Sequence, residues 1–323
     1  MSPEEIEIAE RLNVIFMPYA AERRAAMQAS KGRFVHYTSA ASGLNIIQTK
    51  AIWMRNATCM SDYREVQHGF DTLKRFLSNE SNKNALFHAL DSCSSGIGQE
   101  AITLFDQWWH DIQVQTYITS ISEHADSEDQ HGRLSMWRAF GQATPRVALI
   151  FRVPLREDTA GSLSILFSPV AYFTDQEVDA ELLKVAANIQ ANLDFLCSLD
   201  RTRVVSTFFY MLMLSVTCLK HEGFREELEW RVIHSPKRMP SALVKSSSRV
   251  IDGVPQTVYE IPLQGGPPDD LADLSFSRMI DRVIIGPSQY PWVMYDVFVT
   301  ALTAAGVTDA SSRVFISGIP IRT

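Results

Sequence analysis

The stretch Arg33-Phe34-Val35-His36-Tyr37-Thr38 is a short run of aromatic and β-branched side chains, which is typical of a strand. A stretch with helical spacing and a second strand-like run follow it directly, at 39–49 and 51–55. Further strand-like runs lie at 113–121, 146–153, 163–173, 229–234, 249–261, 281–285 and 313–317. Helical blocks of unequal length separate these runs, without the regular alternation of a doubly wound sheet. The sequence therefore predicts an α+β fold with a central mixed sheet.

Two long helical stretches, 62–111 and 176–220, are predicted to be insertions around this sheet. An N-terminal helix is predicted over 1–32, because Ser2, Pro3 and Glu5 form a capping box with proline at the first helical position. The remainder, 33–323, contains no low-complexity linker and no internal repeat. We expect it to form a single α+β domain that carries both insertions.

The composition excludes disordered, collagen-like and coiled-coil chains, since 46% of the residues are hydrophobic and 21% are charged. The net charge of −7 argues against a protein that coats nucleic acid with a broad basic surface. Four widely spaced cysteines predict neither a disulfide framework nor a structural zinc site, and we expect no bound metal. The acidic start is unlike a signal peptide, and the most apolar stretch, 204–219, is shorter than the roughly 20 residues of a membrane helix. We therefore expect a cytoplasmic protein without membrane association.

The common phosphate-loop, nucleophile-elbow, dinucleotide and zinc-protease motifs are absent from the sequence. Two clusters instead place polar side chains in apolar surroundings and are candidate ligand-binding residues. In the first, His36, Tyr37 and Thr38 alternate along a strand, so that one side chain can face a cleft while the next faces the core. In the second, Ser135 and Trp137 precede an apolar strand. A satisfied core histidine and a core tryptophan are the alternative interpretations.

Two further clusters carry carboxylates. Asp62 and Glu65 are predicted to lie at the start of a helix. One interpretation is that Asp62 caps the helix and Glu65 is an acid of its first turn, and the other is that both bind a cation or orient a ligand. If a strand opens at Leu228, Glu227 and Glu229 project from one face of it. Such a carboxylate pair can raise one pKa or stabilise a developing cation. The alternative is an edge strand whose acids pair with nearby arginines, Arg225 and Arg231.

The order of these clusters resembles an uncharacterised bacterial family, domain of unknown function 2971, over residues 33 to 322. The matching segments are His36-Tyr37-Thr38, Asp62 with Glu65, Met136-Trp137 to Gly141, the Glu-x-Glu-Trp-Arg run at 227–231, Ile284 to Pro287 and Ser317 to Pro320. This resemblance implies no activity by itself.

A second resemblance is to ADP-ribosyltransferases of the His-Tyr-Glu kind, which carry a histidine on an early strand, a hydroxyl on a later one and a glutamate near the start of another. His36, Ser135 and the Glu227-Leu228-Glu229 run occur in the same order. The resemblance implies NAD as substrate and Glu229 and Glu227 as catalytic carboxylates. It also implies a nucleotide-binding set of His36, Tyr37, Thr38, Ser135, Trp137 and Arg231.

The leading hypothesis is therefore an NAD-dependent ADP-ribosyltransferase or NAD-cleaving effector in phage defence or a toxin-like system, with a protein or nucleic acid as acceptor. A non-catalytic module that senses a ligand or binds a protein is the second hypothesis. The third is a metal-dependent nuclease that uses Asp62, Glu65 and Glu229 as ligands. Sequence alone leaves the acceptor and the oligomeric state open.

Overall fold

The structure, a computed structural model, describes residues 2–59, 64–139, 144–251, 253–266 and 269–320 of the chain. Its helices are α1 (Pro3–Phe16), α2 (Pro18–Ala29), α3 (Ala40–Thr49), α4 (Arg64–Ser78), α5 (Glu80–Asp91), α6 (Ile97–Val114), α7 (Leu134–Ala139), α8 (Glu157–Leu163), α9 (Asp175–Ala191), α10 (Leu193–Ser198), α11 (Arg201–Thr217), α12 (Phe276–Met279) and α13 (Pro291–Ala304). Its strands are β1 (Arg33–Ser39), β2 (Ala51–Asn56), β3 (Tyr117–His124), β4 (Arg146–Phe151), β5 (Leu166–Pro169), β6 (Glu229–His234), β7 (Lys245–Ile251), β8 (Val254–Pro262), β9 (Ile280–Ile285) and β10 (Val314–Ile316). Asp62 and Gly141, which the sequence analysis names, lie outside the described residues.

The strands pair in the order β10-β9-β4-β1-β3-β2-β8-β7, and β5 pairs with β6. Strands β9 and β10 run parallel, whereas the pairs β4–β9, β1–β4 and β1–β3 are antiparallel. The sheet is therefore mixed, and the predicted α+β class is confirmed.

The chain divides into two compact units. The first unit comprises Met1–Ala26, Arg55–Ile118 and Leu166–Pro240, and the second comprises Met27–Met54, Thr119–Ile165 and Ser241–Thr323. Each predicted helical insertion falls in the first unit. The assignment of 33–323 to a single domain stays a prediction.

The first unit has a core made mostly of helix-to-helix contacts. Helix α11 packs against α1, α4 and α6, and buries Phe208, Phe209, Met211, Leu212 and Val216, while Leu214 is only half-buried. The two predicted insertions pack on each other in this core, which also contains Ile118 of β3 and Ile233 of β6. Among the described residues, no helix combines the length and the apolar character needed to cross a membrane.

Helices α4 and α11 approach each other closely at Gly69. A Cβ atom on Gly69 would lie 2.6 Å from the carbonyl oxygen and 2.7 Å from the Cα of Val216. Only glycine leaves room for this approach. One turn before Gly69, Glu65 lies on the same face of α4, because residues four apart in a helix are neighbours.

Several boundaries differ from the sequence prediction. The N-terminal helix is two helices, since α1 ends at Phe16 and Pro18, which has no N–H to donate, begins α2. The predicted capping box at Ser2 is confirmed. Strand β3 starts at Tyr117 instead of 113, because α6 continues and buries Ile112 in the helical core. Strand β5 is shorter than the predicted 163–173 run, which also contains the end of α8.

The second unit contains the pairs of β1 with β3 and β4, and of β9 with β4 and β10. The strand-like run at 249–261 lies in a hairpin, with β7 and β8 in register from Lys245 opposite Glu260 to Ile251 opposite Val254. Arg33 at the start of β1 is buried, and its guanidinium lies 2.7 Å from carboxylate oxygens of both Asp129 and Asp281. This unit therefore has a buried ionic network of its own.

Candidate functional site

The predicted strand at 229–234 is confirmed by β6, which pairs antiparallel with β5. Alternation along β6 places Glu229 and Arg231 on one face and Trp230 on the other, where its ring lies 5.1 Å from that of Phe167. Glu229 and Arg231 are both buried. The strand therefore carries a carboxylate and a guanidinium into the first unit side by side.

Glu227 joins Glu229 by a route that the sequence analysis did not foresee. A strand opening at Leu228 would have placed both carboxylates on one face, but Leu228 adopts a left-handed conformation with φ of 46° between a 3₁₀ helix and β6. This turn brings both carboxylates to the ammonium of Lys220, with Oε2 of Glu227 at 2.7 Å and Oε2 of Glu229 at 3.4 Å from Nζ. A non-glycine residue with positive φ is uncommon, and such strain clusters at functional sites.

Lys220 and Arg231 also share the carboxylate of Glu65 from α4. Nζ of Lys220 lies 2.9 Å from Oε1 of Glu65, and Nη2 of Arg231 donates to Oε2. Arg231 donates further through Nε to Oε1 of Glu229, at 2.9 Å, and through Nη1 to the Thr217 carbonyl, at 2.6 Å. We call the five residues Glu65, Lys220, Glu227, Glu229 and Arg231 the charge cluster.

The charge cluster sets three carboxylates against two cations in a buried place. Burial alone lowers the pKa of Lys220 and of Arg231, but the carboxylates around them raise both above their ordinary values. Burial raises the pKa of Glu227, against the opposing effect of Lys220. The side chain of Glu227 is 27% exposed, compared with 8% for Glu229 and 3% for Lys220. Glu65, the third carboxylate of the charge cluster, is 13% exposed. Glu227 is therefore the carboxylate of the cluster that solvent or a ligand reaches most easily.

Tyr172 is a member of the site that the sequence analysis missed. Its hydroxyl accepts a hydrogen bond of 2.9 Å from the backbone N–H of Glu229, and burial raises its pKa. Its carbonyl accepts from Nη2 of Arg225, at 2.8 Å. Arg225 also lies 3.8 Å from Glu177. Of the two arginines proposed as alternative partners of Glu229, it is Arg231 that forms the ion pair described above. Tyr172 lies within the run predicted as a strand, which was the one available signal.

The histidine of the first cluster, His36, lies in the second unit, whereas Glu229 lies in the first. Nδ1 of His36 is 3.0 Å from the carbonyl oxygen of Ser120. Because a carbonyl only accepts, Nδ1 carries the proton, and Nε2 is the acceptor of the neutral ring. Burial lowers the pKa of His36, against the opposing effect of this hydrogen bond. The nucleotide-binding role of His36 stays a prediction.

Tyr37 and Trp137 pack against each other in the second unit. Their ring centroids are 4.9 Å apart in an edge-to-face arrangement, and Nε1 of Trp137 donates to the His131 carbonyl at 2.7 Å. The Tyr37 hydroxyl accepts from the backbone N–H of Arg133 at 2.7 Å, and burial raises the pKa of Tyr37 to about 12. Trp137 is buried, as its core interpretation requires. Thr38, which follows Tyr37, and Ser135, two residues before Trp137, are both half-buried. Their nucleotide-binding roles stay predictions.

In the described ranges, no group of three or more His, Cys, Asp or Glu side chains is arranged to hold a metal ion. Glu65 and Glu229 of the nuclease hypothesis are instead bound to Arg231, and Asp62 lies outside the described residues.

Comparison with protein-family models, curated proteins and solved structures finds no match to this chain. Both resemblances stated above therefore stay predictions, and functional inference depends on the chemistry of the charge cluster.

Proposed function

We propose that this chain is an ADP-ribosyltransferase-like enzyme that cleaves NAD between nicotinamide and ribose, acting in the cytoplasm as a defence or toxin-like effector. The observation that supports the proposal is the juxtaposition of Glu227 and Glu229 on Lys220 at a strained turn. It agrees with the Glu-x-Glu order from which the resemblance was drawn.

The chemistry requires negative charge near the ribose. As the bond from C1′ to the nicotinamide nitrogen breaks, its electron pair leaves with nicotinamide and the ribose gains oxocarbenium character. A carboxylate that accepts a hydrogen bond from the 2′-hydroxyl stabilises this cation. Water or an acceptor nucleophile then bonds to C1′ and releases its proton, which gives ADP-ribose or an ADP-ribosylated acceptor.

The exposure of the two carboxylates changes their proposed roles. From the sequence, Glu229 and Glu227 are both expected to act as catalytic carboxylates. Glu229, however, is held between Arg231 and Lys220 and is almost fully buried. We therefore assign the contact with ribose to Glu227, whose side chain is 27% exposed, and assign to Glu229 the positioning of Lys220 and Arg231.

The test is the release of free nicotinamide from NAD, measured with and without a total cell extract. Glu227→Gln keeps the shape of the side chain and removes its charge, and should reduce the rate by about 10²–10³. The matched control is Glu222→Gln, an exposed acid on the same 3₁₀ helix, which should retain full activity. Nicotinamide release by Glu227→Gln at the wild-type rate, or no release by the wild type in either condition, contradicts the proposal.

A second candidate function, a non-catalytic ligand-binding module, is favoured by the saturation of Glu229 with two cationic partners. A buried carboxylate that is already neutralised supports the fold more than it supports chemistry. This alternative predicts that NAD raises the thermal stability of the chain without being consumed. Under the enzyme proposal, the wild-type chain consumes NAD, and the Glu227→Gln variant consumes it much more slowly.

A further inference from the structure

A second site lies in the first unit, in a mostly apolar pocket with a cavity volume of about 100 Å³. The junction between α1 and α2, helices α9 and α11, and the segment 168–173 line it. Cys218 and Leu219, which precede Lys220 of the charge cluster, form part of its wall. The pocket is thus separate from the carboxylates of that cluster.

The polar groups of the pocket are committed to the protein, with one exception. The hydroxyls of Tyr19, Ser168 and Ser215 donate to backbone carbonyls at 3.2, 3.2 and 2.8 Å. Oε1 of Glu181 accepts from the backbone N–H of Tyr19 at 2.7 Å. Within the part of the chain that the structure describes, Oε2 of Glu181 has no hydrogen-bond or ion-pair partner.

The surroundings of Glu181 favour a cation as its partner. A half-buried carboxylate in apolar surroundings is costly unless it is paired. Burial raises the pKa of Glu181, against the opposing effects of the Tyr19 N–H and of the Lys184 ammonium, which itself pairs with Glu22. Phe16, Tyr19 and Phe173 also line the pocket, with the rings of Tyr19 and Phe173 4.9 Å apart, and the faces of aromatic rings attract cations.

We propose that this pocket binds a small alkylammonium ligand, whose ammonium group pairs with Oε2 of Glu181 while its alkyl chain lies against the apolar wall. The cavity volume sets the size of the ligand. A cavity on the order of 150 Å³ holds benzene, so a cavity of this volume suits a chain of about four carbons.

The test compares butylammonium chloride with n-butanol, which has nearly the same shape and no charge. Binding is measured by the shift of thermal unfolding on titration, at ionic strength held constant with sodium chloride. The wild type should bind butylammonium at least about tenfold more tightly than butanol, as expected for one added charge-assisted pair. Equal binding of the two probes, or no saturable binding of either, overturns the proposal.

Variants locate the effect at Glu181. Glu181→Gln keeps an oxygen for the Tyr19 N–H, and should bind the two probes equally. Glu10→Gln is the control, because Glu10 is exposed on α1 and does not line the pocket, and it should retain the preference for butylammonium. Ala20→Leu, which fills the pocket with a side chain, should weaken both probes and decides the matter if Glu181→Gln does not fold. Retention of the preference in Glu181→Gln, or of binding in Ala20→Leu, contradicts the assignment.

Discussion

Replacing Gly69 by alanine is expected to force α4 and α11 apart. The new Cβ would lie 2.6 Å from the carbonyl oxygen and 2.7 Å from the Cα of Val216, whereas carbon atoms in contact are ordinarily about 3.5–4.0 Å apart. The obstructing atoms belong to the backbone, so no side-chain rotation relieves the overlap. The helices must separate by about 1 Å at this point.

The magnitude follows from two opposing effects. Overpacking in a core costs about 1–3 kcal/mol, and the rigid obstacle at Val216 places Gly69→Ala toward the upper end. Alanine gains about 1 kcal/mol of helix propensity over glycine. We therefore expect the free energy of unfolding to fall by about 1–2 kcal/mol.

The assay is urea unfolding followed by tryptophan fluorescence and circular dichroism. Gly98→Ala in α6 is the control, because the three atoms nearest to its Cβ would belong to the ring of Phe87, at 3.1–3.3 Å, and this side chain can move. We expect Gly98→Ala to be nearly neutral. Since Glu65 lies one turn from Gly69, Gly69→Ala should also disturb the charge cluster. A Gly69→Ala variant as stable as the wild type would refute the reasoning.

Three further predictions concern charge and thiol chemistry. Arg231→Met leaves three carboxylates, of which Glu229 is buried, with one cation, and should cost about 3–5 kcal/mol in urea unfolding. Glu229→Gln leaves two carboxylates against two cations and should cost about 1–3 kcal/mol, and equal costs would contradict the charge balance. Burial alone raises the pKa of Asp281, but hydrogen bonds from two arginines hold it below its ordinary value, so its stabilising contribution is present above the unfolded pKa and lost as the pH falls through the folded one. We expect wild-type stability to fall in acid below about pH 4, and Asp281→Asn to show a smaller fall. Burial raises the pKa of the Cys218 thiol to about 11, so iodoacetamide should alkylate exposed Cys59 first; equal rates by peptide mass spectrometry would argue against this burial.

Local signals in the sequence were sufficient for the elements that depend on neighbouring residues. Capping at Ser2 and the strand at Glu229–His234 follow from short-range hydrogen bonding and from alternation, and both are confirmed. The mixed α+β class follows from irregular spacing of helical and strand-like runs, and it too is confirmed. The break between α1 and α2 was visible in principle, because Pro18 lacks an N–H, but the apolar periodicity concealed it.

The sequence by itself determined which residues of the candidate site carry charge and that Glu227 and Glu229 are close. Only the tertiary structure decided their partners, because Glu65, Lys220 and Tyr172 come from three separate segments and meet through packing. Tertiary structure also decided the turn at Leu228, since a left-handed leucine contradicts local preference and is held by its surroundings. Glu181 shows the same dependence, because its unpaired oxygen and its apolar neighbours are set by contacts distant in the chain. Local hydrogen bonding and side-chain periodicity can be deduced from neighbouring residues, whereas burial and ion pairing depend on which distant segments pack together.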